Sequence, residues 1–162
     1  MGNTKNTIQS FGGNIEVVSN EGKGTTINIS LPLVSPPHWF IGQIDLKKDQ
    51  NVYVLDDDEN MLKAWTDRFP VSIKTFRSGE LFMNFINNLR ADNFIVLVDL
   101  ELEGQNYSGV DIIQILKIES KAVLVTSHAD EKELQDICTN SSIKLLPKLM
   151  ASLIPIKTDF LP

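Results

Sequence analysis

The chain has 162 residues, 42% of them hydrophobic and 22% charged, the balance of a water-soluble globular protein with room for one ordinary domain plus an appendage. Its net charge of -6 comes with no Lys/Arg cluster to offset phosphate repulsion, which argues against a nucleic-acid-binding surface. The single cysteine, Cys138, cannot close an intrachain disulfide, no apolar run approaches the ~20 residues that span a bilayer, and the start carries no signal-peptide pattern, so the expected setting is cytoplasmic and without direct membrane contact.

Thr4 to Phe11 predicts the end of a helix, stopped by Gly12-Gly13. Asn14-Ile15-Glu16-Val17-Val18 and Thr25-Thr26-Ile27-Asn28-Ile29-Ser30-Leu31 flank a Gly-rich turn with β-branched residues, which predicts a hairpin. A helix end and one hairpin do not enclose a core, so residues 1–34 read as the tail of something larger. Ser35-Pro36-Pro37 marks a boundary, because paired prolines continue neither a central strand nor a helix interior. Residues 35–50 then read as a linker, with Trp39, Phe40, Ile41 and Ile44 expected to pack on a neighbouring domain.

From Asn51 the pattern alternates between strand and helix. Strands are expected at 51–55, 71–76, 94–98, 121–126 and 143–146. Between them lie helices of about 59–69, 79–88 with Ser78 as N-cap, 110–118, and 130–139. Short Val/Ile/Leu runs separated by helices predict right-handed βαβ crossovers. The expected fold class is α/β: a doubly wound, five-stranded parallel sheet in the flavodoxin-like order 2-1-3-4-5, over residues 51–150, with the hairpin as an N-terminal appendage and 151–162 as a short tail.

Four of these apolar runs end abruptly in chemically useful groups. The first runs into Asp56-Asp57-Asp58, the third into Asp99, the fourth into Thr126-Ser127, and the fifth, through Pro147, into Lys148. Ligands of open α/β sheets bind just beyond the carboxyl ends of the strands. Each element alone is bland: a strand-end Asp is usually a helix cap, and so are Thr126 and Ser127. The information lies in all four ends carrying complementary groups in order. Asp56, Asp57 and Asp99 crowded together repel one another unless a cation is present, and Mg²⁺ is the fitting one, being hard and oxygen-seeking. Asp99 could then attack phosphorus, with Lys148 neutralising the phosphoryl oxygens and the Thr126 hydroxyl bonding one of them. Asp58 reads as the N-cap of the first of these helices.

At this point the chain resembles a known family. Leu55-Asp56-Asp57-Asp58-Glu59, Val98-Asp99, Val125-Thr126-Ser127 and Pro147-Lys148 are similar to the motifs of the receiver (response-regulator) domain of two-component signalling, and the steps of 42 residues from Asp57 to Asp99 and 22 from Thr126 to Lys148 suit it. The resemblance implies that Asp99 accepts a phosphoryl group from a phosphohistidine on a histidine kinase or phosphotransfer domain. It implies that Asp57, Asp99 and the backbone carbonyl of Glu101 ligate Mg²⁺, with Asp56 acting through water. Thr126 would sense the phosphoryl group, Lys148 would pair with it, and His128, with Ser127 beside it, sits where the family tunes hydrolysis of the acyl phosphate. Residues 1–34 resemble the end of the histidine-kinase ATPase domain, through Phe11-Gly12-Gly13-Asn14-Ile15-Glu16-Val17, Glu21-Gly22-Lys23-Gly24-Thr25-Thr26 and Ile29-Ser30-Leu31-Pro32. The order of tail, linker and receiver is that of a hybrid sensor histidine kinase. The chain lacks that kinase's phosphorylatable-histidine helix and ATP site, so it is expected to act only as phosphoacceptor.

The sequence also departs from the receiver pattern. Glu103 replaces a proline, the loop from Asp99 to Gly109 is about two residues longer than usual, Leu145 stands where an aromatic switch residue is common, and Leu149 follows Lys148 where proline is usual. Residues 149–162 leave little room for a full final helix, so the face built by the last two helices is expected to be incomplete. These departures motivate a second reading, a non-phosphorylated adaptor that docks on a kinase core. Asp56-x-Asp58 with Thr126 and Lys148 also resembles the haloacid-dehalogenase phosphatases, but Asn60 and the lack of an acidic pair after Lys148 disfavour that reading.

Overall fold

The structure is a computed structural model that describes residues 2–158 and 160, and the chain divides into two units, one up to Pro36 and one from Pro37 onward. In the first unit, α1 (Gly2–Ser10) is followed by β1 (Asn14–Asn20) and β2 (Gly24–Ser30), an antiparallel pair in which Ile15 faces Ile29 and Val17 faces Ile27. Gly13 joins helix and hairpin at a point where a Cβ would lie 2.5 Å from the Ser30 carbonyl oxygen, so no larger residue fits without moving backbone. The helix end and hairpin are where the sequence places them. Most of the hairpin's apolar residues are not enclosed: Val17, Ile27 and Ile29 remain 58%, 57% and 56% exposed.

The second unit contains β3 (Ile44–Leu46), β4 (Asn51–Leu55), α2 (Glu59–Arg68), β5 (Ile73–Phe76), α3 (Gly79–Asn87), β6 (Phe94–Asp99), α4 (Gly109–Leu116), β7 (Ala122–Thr126), α5 (Lys132–Ser141), β8 (Lys144–Pro147) and β9 (Ile156–Thr158). Five of the strands form one sheet in the order β5-β4-β6-β7-β8, every neighbouring pair parallel. This is the predicted α/β architecture and order. Three of the helices, α2, α3 and α4, begin where short polar side chains satisfy their first free N–H groups: Asp58 accepts from Asn60 N–H, Ser78 from Leu81 N–H, and Ser108 and Asp111 form a reciprocal capping box. Asp58 is therefore the cap that the sequence suggested.

Alternate strand residues point to opposite faces, which gives the unit two apolar layers. Tyr53, Leu55, Val96, Val98, Leu124 and Leu145 meet α3, α4 and α5 through Phe82, Ile86, Ile112, Ile113, Leu134 and Cys138. Cys138 is fully buried there, and burial pushes its thiol up to about 11, the behaviour of a packed core residue. On the other face, Val52, Val54, Leu97, Val123 and Leu146 meet α2 through Leu62, Trp65 and Phe69.

One part of the architecture differs from expectation. From Pro37 onward, the stretch expected as a linker belongs to the second unit, as does the short tail. Leu145 N–H donates to the Trp39 carbonyl at 2.7 Å, and Ile41 N–H donates to the Leu145 carbonyl at 3.1 Å, so residues 39–41 extend the sheet along the edge of β8. β3 and β9 then pair in parallel, Ile44 opposite Ile156 and Leu46 opposite Thr158. Ile44, Leu46 and Ile154 are buried in the same layer as Trp65, and the Arg68 guanidinium donates to the Ala151 and Ile154 carbonyls. This two-stranded pair covers the sheet face beside α2. The physical reason is local. The chain after Lys148 makes only a 3₁₀ turn at Lys148–Met150, and Pro155, which precedes β9, has no N–H to give a helix. Among the described residues, no helix is long and apolar enough to cross a membrane.

Candidate functional site

The register of the two central strands sets the site. Leu55 pairs with Val98, so the next residues, Asp56 and Asp99, leave β4 and β6 side by side. The chain turns outward in opposite directions from these two strands, towards β5 on one side and β7 on the other, which makes their carboxyl ends the switch point of the sheet. Carboxylate oxygens of Asp56, Asp57 and Asp99 come within 4.8 Å of one another, with Asp56 only 1% and Asp99 only 3% exposed.

Each acid is held separately. Asp56 Oδ1 accepts the Asp58 N–H at 2.9 Å, and Asp57 Oδ2 accepts the Glu103 N–H at 2.9 Å. Lys148 Nζ donates to Asp99 Oδ2 at 2.8 Å and lies 3.7 Å from Asp56 Oδ2. Burial pushes Asp56 up to about 6, against the Asp58 N–H and the Lys148 charge and with the help of the Asp99 and Asp57 charges. Burial likewise raises Asp99, although the hydrogen bond and charge of Lys148 pull the other way. Burial pulls Lys148 down, but the Asp99 hydrogen bond and the surrounding carboxylates outweigh it and hold the ammonium above its ordinary value.

Thr126 ends β7 next to β8, in register with Pro147, the residue before Lys148. It is buried, and its hydroxyl oxygen accepts the His128 N–H at 2.9 Å, while Ser127 is exposed. His128 bridges two glutamates, with Nδ1 2.8 Å from Glu131 and Nε2 3.2 Å from Glu101. The Glu131 hydrogen bond and the Glu101 charge raise its pKa. Glu101 thus turns its side chain to His128, and the residue lines a crevice of about 650 Å³ with Asp57, Asp99 and Lys148. The structure gathers Asp56, Asp57, Asp99 and Lys148 into one cluster, sets Glu101 in its wall and Thr126 on the neighbouring strand end, and leaves Ser127 outside.

Two participants were not foreseen. Arg77 Nε donates to the Asp57 carbonyl at 3.2 Å, and its guanidinium pairs with Glu59. Arg77 directly follows β5, so the strand-end rule that found the acids and the lysine would have found it too. Gln105 bonds the corner between β5 and α3, and no pattern in the sequence announces a contact made by a loop folding back.

The five-stranded parallel sheet of this order, with a carboxylate cluster and a lysine at its switch point, is a flavodoxin-like α/β fold. Solved structures that share the fold include receiver domains and response regulators. The chain is 18% identical to the receiver domain of a Francisella response regulator, with a TM-score of 0.53 over 62% of this chain and 85% of that one. It is 16% identical to the receiver domain of the histidine kinase CKI1 from Arabidopsis thaliana, determined as a complex with Mg²⁺, with a TM-score of 0.52 over 68% of this chain and 90% of that one. The RcsB response regulator of Salmonella typhimurium gives 16% identity and a TM-score of 0.50 over 70% of this chain and 56% of that one. No protein-family model and no curated protein matches the chain.

Proposed function

We propose that the second unit is a phosphoacceptor receiver of a two-component phosphorelay, and that Asp99 takes a phosphoryl group from the phosphohistidine of a kinase or phosphotransfer partner. The observation that carries this reading is the 2.8 Å contact of Lys148 with Asp99 inside a cluster of three acids at the switch point. In the transfer, a carboxylate oxygen of Asp99 bonds to phosphorus as the phosphorus–nitrogen bond breaks, and the bonding pair leaves on the imidazole nitrogen. Lys148 keeps Asp99 ionised before transfer and offsets the phosphoryl charge after it. The Thr126 hydroxyl, on the next strand end, is the hydrogen-bond donor for a phosphoryl oxygen.

The donor set fits Mg²⁺: it is all oxygen, it converges, and two of its three carboxylates are buried. Asp57, Asp99 and the Glu101 carbonyl would hold the ion directly and Asp56 through water. When bound, it supplies charge neutralisation for the phosphoryl oxygens. A haloacid-dehalogenase-type reaction would need Asp58 as acid/base, but that carboxylate is engaged as a helix cap, accepting the Asn60 N–H at 2.8 Å. The half-exposed hairpin of the first unit supports its reading as the end of a kinase ATPase domain, with the chain as part of a hybrid sensor kinase.

The test is intact-protein mass after incubation with Mg²⁺ and acetyl phosphate, with Asp99→Asn in parallel. One added phosphoryl group in the wild type alone is the expected result. No modification and no Mg²⁺ binding would overturn the reading in favour of a docking adaptor.

A further inference from the structure

We infer that Gln105 is a positioning residue for the acid cluster: its side-chain amide closes a ring of hydrogen bonds that begins and ends on Asp57 and so fixes the loop after Asp99 at the distance a divalent cation requires. The inference rests on the proposed Mg²⁺ site and deepens it.

The ring can be followed bond by bond. Asp57 offers its carbonyl to Arg77 Nε at 3.2 Å. Arg77 in turn offers its carbonyl to Gln105 Nε2 at 3.0 Å, and Gln105 Oε1 accepts the Gly79 N–H at 2.6 Å. Gln105 N–H donates to the Leu102 carbonyl at 3.2 Å, which folds the loop into a turn, and Glu103 N–H inside that turn donates to Asp57 Oδ2 at 2.9 Å. Gly104, at φ 69°, lets the turn reverse. Gly79 is required by the same contact: a Cβ there would lie 3.2 Å from Gln105 Oε1 and 2.7 Å from Ile112 Cδ1.

The electrostatics explain why a staple is needed. The loop brings Glu101 and Glu103 to the wall of a crevice that already holds Asp57 and Asp99, with Lys148 the cation that lines it. Like charges at this separation push the loop outward. A neutral amide can anchor it without adding a sixth carboxylate to Asp56, Asp57, Asp99, Glu101 and Glu103. The two departures in this loop also fall into place. A proline at 103 would have no N–H to give Asp57, and the extra length of the loop is what lets residue 105 reach the corner between β5 and α3. Gln105 need not touch the ion. It acts through Asp57 and Glu103, and outer partners of this kind commonly change metal affinity 10- to 100-fold.

The experiment titrates Mg²⁺ alone into the full chain by calorimetry, for wild type and for Gln105→Met, which keeps side-chain length and removes both hydrogen bonds. Thermal midpoints are recorded without the ion. The expected result is about tenfold weaker Mg²⁺ binding in a chain that still folds, with its metal-free midpoint lowered by a few degrees because the Gly79 N–H loses its acceptor. Wild-type affinity in a folded Gln105→Met would overturn the inference and leave the site reading standing, whereas failure of the wild type to bind Mg²⁺ would overturn both. A second measurement needs no variant: on adding Mg²⁺ to the wild type, the Gln105 side-chain amide and Gly79 backbone amide resonances should shift together with that of Glu103. If Glu103 shifts and the other two stay fixed, the ring does not transmit and the inference fails.

Discussion

Lys148 reaches Asp99 at 2.8 Å and Asp56 at 3.7 Å from the turn that follows β8, so one ammonium serves two carboxylates on two different strands. All three groups are largely withdrawn from water. Replacing Lys148 by Met therefore leaves two buried acids without their cation. We expect a loss of about 3 kcal/mol at pH 7.5, at the low end for a broken buried pair because a carboxyl can take up a proton instead. Urea unfolding of the metal-free chain measures it, and the loss should shrink as the pH is lowered to about 5.

Asp56→Asn should act in the opposite sense. Burial pushes the Asp56 carboxyl up to about 6, so its ionised form is costly in the folded protein near neutral pH. The amide removes that cost and should raise metal-free stability by about 1–3 kcal/mol. It should also weaken the stabilisation that Mg²⁺ gives the wild type. Thermal melts with and without Mg²⁺ separate the two effects, and a variant less stable than wild type in the absence of metal would contradict the electrostatic account. Function and stability conflict at this position.

The same shift fixes the sign of the pH dependence. Asp56 is raised from 3.8, so the stability it contributes is fully present below about 3.8 and is lost as the pH rises through about 6. Asp99 and His128, also raised, contribute with the same sign, His128 losing its part as the pH rises above 6.5. The metal-free chain should thus become more stable on going from pH 7.5 to 5.5. Saturating Mg²⁺ should reverse the trend, because the ion binds the ionised carboxylates and competes with protons. Melting curves across that range, in chelator and in excess Mg²⁺, test both directions.

The β3–β9 pair predicts that residues on either side of the five-stranded sheet are structural. Ile44 and Ile154 are almost wholly buried against Trp65. Ile44→Ala or Ile154→Ala should each cost about 2–5 kcal/mol. Deleting residues 151–162 should expose Trp65 and shift its emission to longer wavelength. An unshifted spectrum in the truncated chain would show that the pair does not cover this face.

Gly109 tests how tightly backbone geometry controls the position of Asp99. A Cβ there would lie 2.1 Å from the Asp99 carbonyl oxygen and 3.0 Å from Val98 Cγ1. Gly109→Ala must therefore displace the end of β6. It should destabilise the fold by more than 1 kcal/mol and depress phosphoryl incorporation at Asp99, both measurable on one preparation by denaturation and intact mass.

The legibility of this chain follows the range of the interactions. Val/Ile/Leu runs such as 52–55 and 94–98 are strands because they are buried on both faces, and that burial is written into contiguous residues. Ser78, Asp58 and Ser108 cap helices through bonds no more than three residues long. The acids and Lys148 could be foreseen because a parallel sheet in a known order carries every strand end to the same edge. Residues 35–50 show the converse. Trp39, Phe40, Ile41 and Ile44 announce burial but not their partner, and that partner, the stretch from Leu145 to Thr158, lies about a hundred residues further along.

By itself, then, the sequence determined what is local or periodic: the five strands of the main sheet and the helices between them, their order, and the identity of the groups at the strand ends. Only the tertiary structure decided which loop atoms complete the site and what closes the face beside α2. The Glu103 N–H on Asp57, the Gln105 amide on Gly79 and Arg77, and the pairing of β3 with β9 all join residues distant in the chain. Such contacts depend on loop conformation and long-range register, and neither leaves a repeating mark in a sequence because each is formed only once the sheet has brought its partners together.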